Sequence, residues 1–217
     1  KISVIYNGLD MKRFDIINDD DRREARKNLG IGESQILVGM VSHMRKDKNF
    51  ELFLDAAAMV HKSHPETRFI ILGEGPYRPN IERRIEELEL QNTVSLIGAV
   101  EDVVPYLASM DIACLTTDGE SFSNSILEYL AAGLPVVATE VGGNIEALKE
   151  NGFLFPPGDL EKFVELLTDL IEDKELRQRA GAAGKAEVAF KYGIASMVAV
   201  YEKVFLKCVA ADDSEAG

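Results

Sequence analysis

The stretch IACLTTDGESFSNSILEYLAAGLPVVA, Ile112–Ala138, decides the architecture. Its first four residues form an unbroken apolar run, the signature of a strand buried on both faces. A loop rich in Thr, Asp, Gly and Ser follows, and it opens a predicted helix from about Ser123 to Ala132. Gly133 ends that helix, and Pro135–Ala138 supplies a second apolar run. Strand, polar loop, helix, glycine stop and strand make one βαβ unit, whose two strands run parallel.

The same alternation extends on both sides. Upstream, Ile36–Val41 reads as a strand, followed by Phe50, Phe53, Leu54 and Ala57 at helical spacing. Arg68–Leu72 is the next strand, Pro79–Leu88 a charged helix, Val94–Ile97 a third strand, and Val103–Ser109 a short helix. Downstream, Gly152–Phe155 reads as a sixth strand. Right-handed crossovers then give a doubly wound, Rossmann-like α/β fold on a parallel sheet. The last third is helical. Leu160, Phe163, Val164, Leu167 and Leu170 mark one stripe, and Ile194, Met197, Val198, Tyr201, Val204, Phe205 and Cys208 mark another. Lys1–Gly8 reads as a strand running into a turn. Residues 1–209 are expected to form one domain, and 210–217 an acidic, disordered tail.

Composition narrows the function. With 24 Lys+Arg against 37 Asp+Glu, the 217 residues carry a net charge of −13, which argues against nucleic acid as partner. Two cysteines without a CxxC pair argue against disulfide scaffolding and a zinc site, and suit a reducing compartment. No apolar run reaches the roughly 18 residues of a membrane helix, and the first residues do not resemble a signal peptide. The chain lacks an initiator Met and is expected to start inside a longer protein.

In open parallel sheets the ligand site lies at the carboxyl ends of the strands. After the first strand comes Ser42-His43-Met44-Arg45-Lys46-Asp47-Lys48-Asn49. Cations at a helix start oppose the macrodipole, which a bound anion there would explain; a solvated turn with scattered charge is the plain alternative. His43 alone reads as a surface residue. In Thr116–Glu128, Ser125 and Glu128 have capping-box spacing, which accounts for both. Capping does not account for Glu120, and two carboxylates flanking free helix amides suit a polyhydroxylated ligand. Gly142-Gly143 and Gly73-Glu74-Gly75 allow either close backbone approach to a ligand or a tight turn.

Glu120–Thr139, with its two glutamates eight residues apart and the helix, turn and strand that follow, resembles the E-x7-E block of glycosyltransferase family 4. Tyr6-Asn7-Gly8-Leu9-Asp10, Lys48-Asn49-Phe50, Gly73-Glu74-Gly75-Pro76, Ile97-Gly98-Ala99-Val100 and Val141-Gly142-Gly143-Asn144 stand where that family has its own motifs. The resemblance covers residues 2 to 206 and implies the C-terminal, donor-binding half of a retaining, metal-independent GT-B enzyme of polysaccharide biosynthesis. It implies no cofactor: the ligand is a UDP- or GDP-linked sugar.

Roles follow by position. Arg45 and Lys48 would neutralise the diphosphate together with amides near Ser123 and Asn124, and Glu128 would bind the ribose. Glu120 would face the transferred sugar, as the catalytic residue, with Phe122 and Ser123 backbone, Gly142 and Gly143 nearby. The base would lie near Ile97 and Val100. Many members place an Arg five residues before the loop Lys; here that position is His43, and Arg45 takes the role. The resemblance also implies an N-terminal acceptor-binding domain in the parent chain, so this piece alone should transfer nothing. A cytoplasmic location is implied, with peripheral membrane association open to the full-length enzyme. The alternatives are a non-transferring nucleotide-sugar module and a GT-B sugar-nucleotide epimerase. Glu120 favours the transferase, since mere binding does not need it.

Overall fold

A computed structural model describes the backbone of residues 4–15 and 17–215, with side chains through residue 207. Six parallel strands form one sheet: β1 (Leu37–Val41), β2 (Arg68–Leu72), β3 (Val94–Gly98), β4 (Ile112–Leu115), β5 (Val136–Thr139) and β6 (Phe153–Phe155). Their order is β3-β2-β1-β4-β5-β6. The direction of winding therefore reverses between β1 and β4, and a crevice opens at their carboxyl ends. β1, β2, β4 and β5 are almost wholly buried, as their unbroken apolar runs require.

Helices cover both faces. α3 (Phe50–Ser63) follows β1 and α4 (Arg78–Glu87) follows β2; α5 (Val104–Ser109) precedes β4, and α6 (Asn124–Ala131) joins β4 to β5. α7 (Gly142–Leu148) follows β5, and α8 (Leu160–Glu172) and α9 (Lys174–Tyr192) follow β6. α3 packs beside α4 and α8, while α6 packs beside α9. The Leu160–Leu170 stripe does its expected work: Phe163, Leu167 and Leu170 of α8 are fully buried, and Phe163 stacks on Phe155 at 4.6 Å.

Four differences from the sequence reading have physical causes. α1 (Lys12–Asp15) and α2 (Asp19–Asn28) fill a stretch without apolar periodicity. Ion pairs hold α2 instead: Arg22 and Arg26 reach Asp111 at 2.6 and 3.0 Å, at the amino end of β4. Residues 4–8 form no strand; Leu9 alone makes an isolated bridge to Gly193, and residues 1–3 lie outside the description. α7 begins on two glycines that read as a turn. Finally, α10 (Ile194–Glu215) carries 210–215 as helix where a disordered tail is expected, because neither Gly nor Pro interrupts it there; Ala216 and Gly217 lie outside the description. Much of the second stripe is exposed on this helix: Ile194, Val198, Tyr201 and Phe205 all face solvent. Among the described residues no helix is long and apolar enough to cross a membrane.

Candidate functional site

The loops after β1 and β4 meet across the crevice, and they are tied together. A single 3₁₀ turn, Lys46–Lys48, ends at Asn49, whose left-handed backbone (φ 49°) lets its side-chain oxygen cap α3. Asn49 Nδ2 also donates to Asp118 Oδ1 at 2.9 Å. Thr116 Oγ1 donates to the Lys48 and Asn49 carbonyls, and the Asp118 N–H donates to the Asp47 carbonyl at 2.8 Å. Lys48 is thereby fixed, and its ammonium meets Glu120 Oε2 at 2.7 Å. Both side chains are largely buried, 11% and 17% exposed, so neither charge is diluted by solvent as a surface pair would be.

Arg45 behaves differently. Its guanidinium forks onto Asp47 at 3.0 and 2.8 Å, half exposed, and holds the Asp47 carboxyl below the usual carboxylate range. Among the described residues the guanidinium makes no hydrogen bond or ion pair to Lys48, Glu120 or Glu128. The cation that the crevice encloses is Lys48.

α6 starts inside the crevice. Ser123, not Ser125, is its N-cap, accepting the Ile126 N–H at 3.3 Å. The capping box expected of Ser125 and Glu128 is therefore not formed: α6 begins one residue after Ser123, which puts Ile126 at the box's third helical position. The Asn124 and Ser125 amides have no partner among the described residues and point their dipoles at the helix start. Asn124 Oδ1 accepts from Asn7 at 3.2 Å.

Glu128 is then free of any capping duty. No hydrogen bond to its carboxylate exists among the described residues, although burial pushes its pKa up; Arg13 opposes that rise and Asp102 adds to it. A half-buried carboxylate without a donor is unfavourable unless a ligand supplies one. Glu128 and Asn124 line a cavity of about 290 Å³ with Asn7, Gly8, Leu127 and Met197.

A second cavity of about 290 Å³ is lined by Ser42, His43, Glu74, Val100 and Ser125, among others. It includes Val100 but not Ile97, which sits on β3 packed against the core. His43 is exposed at its rim. A larger cavity, about 660 Å³, opens elsewhere, among Asn18, Arg22, Asp111, Pro135 and Arg177. It lies at the amino ends of the strands, where Arg22 is engaged with Asp111 and Arg177 with the α8 carbonyls. We place the site at the carboxyl ends.

The glycines serve the loop. The Gly143 N–H donates to the Glu120 carbonyl at 2.9 Å. A Cβ at Gly142 would stand 2.0 Å from that carbonyl oxygen, and one at Gly143 would stand 2.2 Å from the Ser121 carbonyl. Gly142 and Gly143 are thus a floor on which the 120–121 backbone rests. Thr139 Oγ1 continues the support by donating to the Thr117 carbonyl at 2.6 Å.

Two residues without an assigned role in the sequence reading join the same loop. Tyr6 and Tyr192 flank the Phe122 ring at 4.9 and 5.4 Å. The Tyr6 hydroxyl donates to Glu146 on α7, which drives the phenol up to about 12. Tyr192 ends a helix 70 residues downstream of Phe122, and no local pattern announces that meeting.

The sequence profile of the family described as Glycosyl transferases group 1 matches residues 21–187. The chain is 26% identical to N-acetyl-alpha-D-glucosaminyl L-malate synthase of Bacillus anthracis over 206 residues, 94% of this chain and 53% of that protein. It is 30% identical over 192 residues to a GDP-mannose-dependent monoacylated alpha-(1-6)-phosphatidylinositol monomannoside mannosyltransferase of Corynebacterium glutamicum, covering 84% of this chain and 50% of that one. The crystal structure of Anabaena Alr3699/HepE in complex with UDP-glucose superposes with a TM-score of 0.88 at 25% identity, over 94% of this chain and 57% of that one. The chain thus spans about half the length of the curated relatives it matches.

Proposed function

The chain belongs to the glycosyl transferases group 1 family, and from that membership we propose that it binds the sugar donor for a retaining, metal-independent enzyme of glycosyltransferase family 4. Residues 1–209 are the donor-binding unit, and an N-terminal domain of the parent chain holds the acceptor. One observation carries most weight. Glu128 is a half-buried carboxylate with no hydrogen-bond donor among the described residues, beside a cavity and one helical stretch from the free amides of α6. Vicinal ribose hydroxyls are the donors that such a carboxylate lacks.

The remaining groups divide the nucleotide sugar between them. Lys48 and the Asn124 and Ser125 amides take the diphosphate, joined by Arg45 once it leaves Asp47. Glu120 takes hydroxyls of the transferred sugar. The cavity at Val100, His43 and Ser125 takes the base, read largely by backbone. As the glycosidic bond breaks, the sugar gains oxocarbenium character and the leaving diphosphate gains charge. Fixed cations and helix amides stabilise that charge without reorganising, so no metal ion is required and no cofactor takes part. The sugar leaves with its anomeric configuration retained. A half-enzyme binds the donor and transfers nothing, and the whole protein works in the cytoplasm.

A relative named for GDP-mannose and a structural neighbour bound to UDP-glucose set the panel for a test. Calorimetry with UDP, UDP-glucose, GDP, GDP-mannose and ADP in the presence of a chelator should give binding by at least one nucleotide class. No heat with any of them, with or without Mg²⁺, would overturn the donor site. Binding only with Mg²⁺ would overturn metal independence.

A further inference from the structure

The Tyr6, Phe122 and Tyr192 rings form a closed cluster, with centroids 4.9, 5.4 and 5.6 Å apart. Each ring comes from a different place: the N-terminal segment, the loop after β4, and the last residue of α9. Tyr192 is only 5% exposed, and its carbonyl accepts the Leu9 N–H at 2.7 Å. The Ile194 N–H returns to the Leu9 carbonyl at 3.1 Å, so the N-terminal segment is clasped to the α9–α10 junction on both sides. The hydroxyl of Tyr6 is anchored in turn on Glu146 of α7.

Phe122 is two residues from Glu120 and one from the N-cap Ser123. The loop between them has a glycine floor at Gly142 and Gly143, and the two tyrosines stand against its Phe122 ring. Tilted and edge-on ring pairs at these distances are directional, so they fix where Phe122 points as well as holding it.

We propose that Tyr6 and Tyr192 are positioning residues for the sugar-facing turn, locking Phe122 so that Glu120 and the Ser121–Ser123 backbone hold one geometry. This rests on the donor-site reading, and it makes a narrower claim. The diphosphate and ribose contacts lie on Lys48, α6 and Glu128, whose side chains are not part of the cluster. The sugar contacts depend on it. Tyr6 belongs to the N-terminal segment, so a shift of that segment reaches the sugar-facing turn directly through the ring.

The test compares UDP with UDP-glucose, and GDP with GDP-mannose, on the wild type and on Tyr6→Leu, Tyr192→Leu and Tyr6→Phe. In Tyr6→Leu the gain in affinity from nucleotide to nucleotide sugar should shrink by about tenfold, the scale of one or two lost hydrogen bonds. Affinity for the bare nucleotide should change by less than the sugar increment does, since the cluster itself carries none of the nucleotide's contacts. Tyr6→Phe keeps the ring and should restore most of the sugar increment. Backbone amide NMR shifts of residues 120–123 should move in Tyr6→Leu and return in Tyr6→Phe, with no ligand present. An unchanged sugar increment in Tyr6→Leu overturns the proposal. So does a parallel fall for nucleotide and nucleotide sugar, which a merely structural role would give. Should Tyr192→Leu fail to fold, the half-exposed Tyr6 carries the same comparison. A wild type that binds neither pair overturns the donor-site reading and this inference with it, whereas binding with an unchanged increment overturns this inference alone.

Discussion

Lys48 Nζ donates to Glu120 Oε2 at 2.7 Å across the crevice between β1 and β4, joining residues 72 positions apart. In the proposed complex these two side chains serve different parts of the ligand, Lys48 the diphosphate and Glu120 the sugar. The diphosphate therefore competes with Glu120 for Lys48, and a sugar that offers hydroxyls to Glu120 relieves that competition.

Lys48→Ala should weaken nucleotide binding by about 1–3 kcal/mol, the loss of a charge-assisted bond. Glu120→Gln should do the reverse for the bare nucleotide diphosphate: with its competitor neutral, Lys48 is free and affinity rises. The same variant should lose the preference for the nucleotide sugar. Calorimetry on both variants decides the matter, and a fall in bare-nucleotide affinity for Glu120→Gln would sink the competition.

Arg45 offers a contrast in kind. Its pair with Asp47 is half exposed and lies within one turn, so it contributes little to stability. Arg45→Ala should leave the unfolding free energy within about 0.5 kcal/mol of wild type. Nucleotide affinity should nevertheless fall if the guanidinium swings to the phosphate on binding. Equal affinity for Arg45→Ala and wild type would leave Lys48 and the α6 amides to hold the diphosphate alone.

Glu128 links function to pH. Its carboxyl is raised above its ordinary value, first by burial and further by Asp102, with Arg13 opposing. A folded-state pKa above the unfolded one favours the protonated native form, so the stability this group contributes is present at acid pH. It is lost as pH rises through the folded value. Glu128→Gln removes that penalty. The variant should be more stable than wild type near neutrality, with the advantage vanishing below the unfolded carboxylate range, while nucleotide affinity drops. Urea unfolding across pH measures the first, calorimetry the second. A Gln variant less stable than wild type at neutral pH would show that the carboxylate is paired in the native protein.

The sheet was legible because its strands are apolar runs that need no partner to be recognised; Arg68–Leu72 and Ile112–Leu115 match to the residue. The stretch Glu120–Glu128 was legible as chemistry, since its carboxylates and small polar residues stand where a strand ends. What could not be read is whatever depends on distant partners. Lys48 and Glu120 face one another only because the strand order reverses between β1 and β4. Tyr6 and Tyr192 meet Phe122 from opposite ends of the chain. Glu128 looked like a capping residue because spacing alone fits, and only the observed N-cap at Ser123 releases it. α7 was hidden by its opening glycines, which suit a turn until the Glu120 carbonyl is seen beneath them.

α2 shows the same limit from the side of stability. Its sequence, Asp19–Asn28, offers no apolar face, and the helix is held by charge. Asp111 accepts from Arg22 at 2.6 Å, from Arg26 at 3.0 Å and from the Leu37 N–H at 2.9 Å, so one carboxylate ties α2 to the amino ends of β4 and β1. Arg26 is 4% exposed and also donates to the Ser109, Gly32 and Gln35 carbonyls. Asp111→Ala would leave that buried cation without a counter-charge and the Leu37 N–H without an acceptor. Breaking a buried pair from one side costs about 3–5 kcal/mol, far more than the pair itself contributes. Urea denaturation should show a loss of that size, while nucleotide affinity at the opposite end of the sheet stays at the wild-type value. A loss below about 1 kcal/mol, the range of exposed pairs, would mean that water reaches Arg26 and that α2 is held by something other than Asp111.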